Sequence, residues 1–88
     1  MDRIVKDIRV RLASGLHIHP ATLLAEAIRS LDCEVLIEVG GTKINAKSIM
    51  GLLTLAVPPG ETIVVEATGP DGEKAVAEIE RILTHDGK

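Results

Sequence analysis

From Ile4 to Leu12 the apolar residues Ile4, Ile8, Val10 and Leu12 fall on even positions, with Lys6 as the exception. Arg3, Asp7, Arg9 and Arg11 take odd positions. A period of two with one wet face predicts a half-buried strand. Ser14-Gly15 breaks it, and the period then changes. Between Pro20 and Leu31, the residues Leu24, Ala27, Ile28 and Leu31 recur at three- and four-residue spacing, the stripe of an amphipathic helix. Pro20 falls in its first turn, where a missing N–H does little harm.

Glu34 to Val39 alternates again, with Val35, Ile37 and Val39 on one face. Gly40-Gly41 is a two-residue hairpin signal leading into a strand over Thr42 to Ala46. Ser48 is placed to cap a short apolar helix, Ile49 to Leu55, which Pro58-Pro59-Gly60 terminates. Thr62 to Thr68 reads as a fourth strand. Gly69-Pro70-Asp71-Gly72 turns into a final helix whose buried stripe is Val76, Ile79, Ile82 and Leu83, with a frayed tail after Thr84. The order is β-α-β-β-α-β-α. Short connections and a hairpin imply an α+β fold, an open-faced β-sandwich with a four-stranded antiparallel sheet and three helices on one face.

Eighty-eight residues make one domain, residues 1–88, and 45% of them are hydrophobic. The chain has no Phe, Trp or Tyr, so its core must be aliphatic. The same lack removes the stacking platforms of single-strand binders. A formal charge of −3 removes the basic footprint that DNA or RNA binding needs, so no nucleic-acid partner is expected. Cys33 is alone, which excludes an internal disulfide and a multi-cysteine zinc motif. The charged, alternating N-terminus is unlike a signal peptide, and no stretch approaches the roughly 20 apolar residues of a membrane span. We expect a soluble, cytoplasmic monomer without membrane insertion.

The chemistry concentrates where the first strand gives way to the first helix. There His17 lies at or beside the N-cap. A helix N-terminus offers unpaired N–H groups and the positive end of a dipole, a natural anion site. A histidine in that place carries a phosphoryl group or serves only as a cap. His17-x-His19 also brings metal to mind, but two histidines are too few for a closed zinc site. The other candidates, His85 and Cys33, lie elsewhere, so no metal and no cofactor is expected. Ser48 has its ordinary role as an N-cap, worth about 1 kcal/mol. Met50, Leu52, Leu53 and Leu55 give the short helix more apolar surface than one buried face needs. Cys33 is expected to pack at a helix end, without redox chemistry.

Two segments resemble a known family. Gly15-Leu16-His17-Ile18-His19-Pro20-Ala21 is similar to the Gly-(Ile or Leu)-His-x-Arg-Pro-Ala loop of the HPr family, the histidine-containing phosphocarriers of the bacterial sugar phosphotransferase system. Asn45-Ala46-Lys47-Ser48-Ile49-Met50-Gly51 resembles the regulatory serine segment of its Gram-positive type. The resemblance spans essentially the whole chain. It implies that His17 accepts a phosphoryl group from phosphorylated enzyme I and passes it to the A domain of a sugar-specific permease, without turnover of its own. It implies phosphorylation of Ser48 as well, with a serine kinase/phosphorylase and a transcriptional regulator as further partners. The short helix and the start of the first helix would form a docking patch. Met50 and Leu53 are the expected contacts, and Lys47, with Arg29, its basic rim.

One departure falls at the chemistry, because His19 stands where the family keeps an arginine. A guanidinium is always charged and grips two phosphate oxygens at once. A histidine has an ordinary pKa of about 6.5 and is mostly neutral in neutral solution. The departure keeps a second function class open, a regulator acting mainly through phospho-Ser48 with weak histidine transfer. A third class is a small interaction domain with no phosphorylation. The two family-like segments count against it, since such a fold needs neither.

Overall fold

A computed structural model describes residues 3–12, 15–16, 18–55 and 57–84. The elements run β1 (Arg3–Arg9), α1 (Ile18–Ile28), β2 (Glu34–Val39), β3 (Thr42–Asn45), α2 (Ile49–Thr54), β4 (Thr62–Thr68) and α3 (Gly72–Thr84). The strands form one sheet in the order β1-β4-β2-β3, every pair antiparallel. The β-α-β-β-α-β-α order and the open-faced architecture are those the hydrophobic pattern predicts.

Alternation decides which face of the sheet is covered. Ile8, Val35, Ile37, Ile63, Val65 and Ala67 are buried and meet Leu24, Ile28, Ala75, Ile79 and Leu83 from the helices. With no aromatic ring available, this core is made of branched aliphatic side chains, and among the described residues it holds no buried polar or charged side chain. Lys6, the odd residue in the first strand's pattern, lies on the edge strand. Its ammonium reaches Glu80 of α3 at 2.7 Å, so a charge at an inward position still ends in water. On the open face Arg3 and Lys43 converge on Glu66, and the hydrogen bond from Arg3 holds that carboxyl below the ordinary carboxylate range.

The β2–β3 turn has the predicted two-residue form. Val39 pairs with Thr42, and Gly40 and Gly41 both take positive φ (57° and 87°), as a type I′ turn requires. Strand β3 and helix α2 each end one residue before the sequence reading, at Asn45 and Thr54, and two boundaries differ by three residues. The first helix ends at Ile28 rather than Leu31. Residues 29 and 30 form a turn, and the Leu31 N–H bonds back to the Ile28 carbonyl at 3.1 Å. Half-buried Leu31 continues the apolar spacing without continuing the helix. The first strand's ladder closes at Arg9 rather than Leu12. Val10 still exchanges hydrogen bonds with the facing segment (its N–H to Glu61 O, its C=O from Gly60 N, both 2.8 Å), and Arg11 then turns to Leu83 O at 2.8 Å.

Candidate functional site

The first segment is braced by backbone. The Leu16 N–H donates to Val57 O at 2.9 Å, and the Gly15 N–H donates to Leu12 O at 3.0 Å. Gly15 has φ 73°, and a Cβ there would stand 2.3 Å from Val57 O and 3.1 Å from the Pro58 Cα. Only glycine fits so close an approach at that conformation. Pro58 and Gly60, which looked like a mere terminator of the short helix, belong to the turn that supports this loop. His17 lies outside the described residues, as does His85. Helix α1 begins at Ile18, the next residue in the chain, and has no acid in its first turn. The positive end of its dipole is therefore not neutralised locally. His19 is exposed in that first turn.

The second segment is held by side chains. Ser48 sits in extended backbone (φ −103°, ψ 113°) and its Oγ accepts the Gly51 N–H at 3.0 Å, while its carbonyl accepts the Leu52 N–H at 3.0 Å. The serine thus caps α2 and satisfies two of that helix's first N–H groups. Asn45 Oδ1 accepts the Lys47 N–H at 2.8 Å and fixes the approach to the cap.

The predicted docking residues divide. Met50 is 74% exposed on α2, whereas Leu53 is half-buried and packs against the core. Ile18 and Leu23 of α1, at 65% and 48%, are exposed apolar residues that the sequence reading passed over. Leu23 lies one step off the buried Leu24 stripe, which was the available signal. Helices α1 and α2 pack on each other, so both carriers of exposed apolar residues are neighbours in the fold. Lys47 is half-buried in the turn before α2. Its ammonium donates to Leu31 O at 2.7 Å, just past the end of α1. That end is about 14 Å along the axis from His19 in the first turn. A cation at a helix C-terminus satisfies a carbonyl and complements the dipole. Arg29 leans on Glu26 at 3.6 Å. Cys33 is half-buried, and burial pushes its thiol pKa up, which leaves it a poor nucleophile.

Comparison with known proteins agrees with this layout. The family model of the HPr component of the phosphotransferase system, described by its phosphorylation site, matches residues 4–85. The HPr-like protein Crh of Halalkalibacterium halodurans is 40% identical over 73 residues, covering 83% of this chain and 87% of its own. The crystal structure of the phosphocarrier protein HPr from Bacillus anthracis is 31% identical and superposes with a TM-score of 0.89, over 94% of this chain and 99% of that one. The catabolite-repression protein Crh of Bacillus subtilis, 35% identical, superposes at 0.75 over 90% and 91%, and its crystal structure is described as a domain-swapped dimer. Among the described residues, no helix is long and apolar enough to cross a membrane. With the fold, the braced loop and the capped serine in their expected order, the chain belongs to the HPr family.

Proposed function

We propose that this protein is a single-domain phosphocarrier that accepts a phosphoryl group on His17 from phosphorylated enzyme I and passes it to sugar-specific permease A domains. A neutral imidazole nitrogen attacks phosphorus, the bond from phosphorus to the donor breaks, and the ring proton is lost to solvent as the N–P bond forms. Such transfer asks the protein mainly for positioning and charge stabilisation. The observation that carries this reading is the pair of a braced Gly15-Leu16 turn and an acid-free helix start at Ile18, on either side of residue 17 in the sequence. It puts the first-turn N–H groups of Ile18 and His19 next to residue 17 in the chain. His19 serves as a phosphate partner in the arginine's stead.

Ser48 is the regulatory position. Phosphate on its Oγ replaces a neutral cap with a charged one at the same helix end, a place where negative charge is electrostatically tolerated. The added charge also stands beside exposed Met50, where it repels an acidic partner. A second reading, a regulator acting mainly through phospho-Ser48, draws on the Crh relatives and on the imidazole at position 19.

One experiment separates the two. The protein is incubated with phosphoenolpyruvate and enzyme I, and separately with ATP and a matching serine kinase, and each label is tested for acid stability. Acid-labile label that vanishes in His17→Ala supports the carrier. Stable label confined to Ser48, with none from the first route, supports the regulator. Under the carrier reading, His19→Arg accelerates phosphorylation, more at pH 8 than at pH 6. Superimposable pH profiles would remove His19 from the site.

A further inference from the structure

Arg9 and Arg11 are a second cationic feature, which the motif does not include. Both are exposed, and both line one open groove with Val10, Leu12, Pro59 and Gly60. Their backbone is fixed from two sides, by Val10 pairing with Gly60 and Glu61 and by the Arg11 N–H on Leu83 O. The Arg9 guanidinium lies over Gly60, its Nη2 only 3.8 Å from where a Cβ would stand. Gly60 belongs to the same 57–60 turn whose Val57 carbonyl holds Leu16.

Among the described residues, neither charge is committed to an ion pair. The ion pairs among the described residues use Arg3, Lys6, Arg29, Lys43 and Arg81, and neither Arg9 nor Arg11 takes part in one. Thr84 completes the lining, and Asp7 and Glu61, the described acids nearest in sequence to the groove, are paired with neither arginine among the described residues. On a chain of net charge −3, two open guanidinium groups on the brace of the phosphorylation loop are a marked local excess of positive charge. The loop itself has lost the arginine its family carries at position 19.

We infer that Arg9 and Arg11 form a docking rim for carboxylates on the protein that phosphorylates His17, supplying from the end of β1 and the segment just after it a fixed positive charge that His19 does not. This inference rests on the carrier reading above. A rim charge acts chiefly on the association rate and its salt dependence, with small effect on the step at phosphorus. The groove is open rather than enclosed, which suits a protein face. The arginine pair would supply steering and register.

The test is the rate of His17 phosphorylation by phospho-enzyme I at low and high salt, for the unaltered chain, Arg9→Glu, Arg11→Glu and the double variant. Lys74→Glu, an exposed position on α3, controls for net charge, and an Arg9→Gln/Arg11→Gln pair checks that any loss follows charge rather than misfolding. We expect the double reversal to slow phosphorylation roughly tenfold or more at low salt, with most of the difference erased at high salt. The glutamine pair should fall between, with a thermal midpoint like that of the unaltered chain. Rates equal to that of Lys74→Glu, or a loss that ignores salt, would overturn the rim while leaving the carrier intact. No label on the unaltered chain would remove the carrier reading, and this inference with it.

Discussion

The two family-like segments reach comparable order by opposite means. Gly15 and Leu16 are fixed by backbone against backbone, in a space with no room for a side chain. Ser48 to Gly51 is fixed by a side chain, the Ser48 hydroxyl closing the end of α2 on the Gly51 N–H. A backbone brace leaves any neighbouring side chain free for chemistry, because nothing structural depends on it. A side-chain cap ties structure and chemistry to a single oxygen atom. Modification at Ser48 must therefore alter a helix terminus, whereas transfer at His17 need not disturb its support. Under the proposed function, the contrast suits a carrier at one place and a regulatory mark at the other.

The widest test of this contrast is Gly15→Ala. The new methyl would meet the Val57 carbonyl at 2.3 Å on a backbone of φ 73°, and the opposing atoms are main chain that cannot swing aside. We expect a loss of about 2–4 kcal/mol in urea unfolding, with transfer at His17 impaired well beyond the unfolded fraction. Gly40→Ala supplies the reference. It shares the positive φ, at 57°, but its Cβ would meet nothing within 4 Å, so it should lose only about 1 kcal/mol. Equal losses at the two sites would mean that the loop is not braced by contact.

The second test sets Ser48→Ala against Ser48→Asp. Alanine removes the acceptor for the Gly51 N–H and should cost about 1 kcal/mol. Aspartate is itself a good N-cap, so its stability should match the unaltered chain while phosphorylation of His17 slows. If the aspartate variant is as unstable as the alanine one, the cap does not tolerate charge, and Ser48 is a structural residue alone.

Much of this was open to the sequence because its cause is local. The Gly40-Gly41 turn, the Ser48 cap and the alternating strands each follow from residues a few positions apart. What stayed hidden depends on residues far apart in the chain. Lys47 looked like a docking charge, and only the fold shows the Leu31 carbonyl within its reach. The apolar stripe of α1 ran on to Leu31 because that side chain packs on the core after the helix has ended. Ile18 and Leu23 stay exposed because none of the described elements covers them, a matter of packing that helical period does not encode. Gly15 announced a break, yet the need for glycine comes from Val57 and Pro58, more than forty residues on.

The finest test repeats the first substitution in the second segment. Gly51 lies inside α2, where alanine is favoured over glycine by up to about 1 kcal/mol. Its new methyl would meet Ile44 Cβ and Ser48 Oγ at 3.4 Å and Ser48 Cβ at 3.5 Å, the near edge of ordinary contact. That crowding offsets part of the helical gain, so Gly51→Ala should be about 0.5 kcal/mol more stable than the unaltered chain, opposite in sign to Gly15→Ala. The same methyl would stand against the oxygen that receives phosphate. Labelling of Ser48 by its kinase should therefore fall severalfold even as the fold tightens. A protein destabilised by more than about 1 kcal/mol would show the capped segment to be packed as closely as the braced one. The division between a backbone brace and a side-chain cap would then fail at its weaker member.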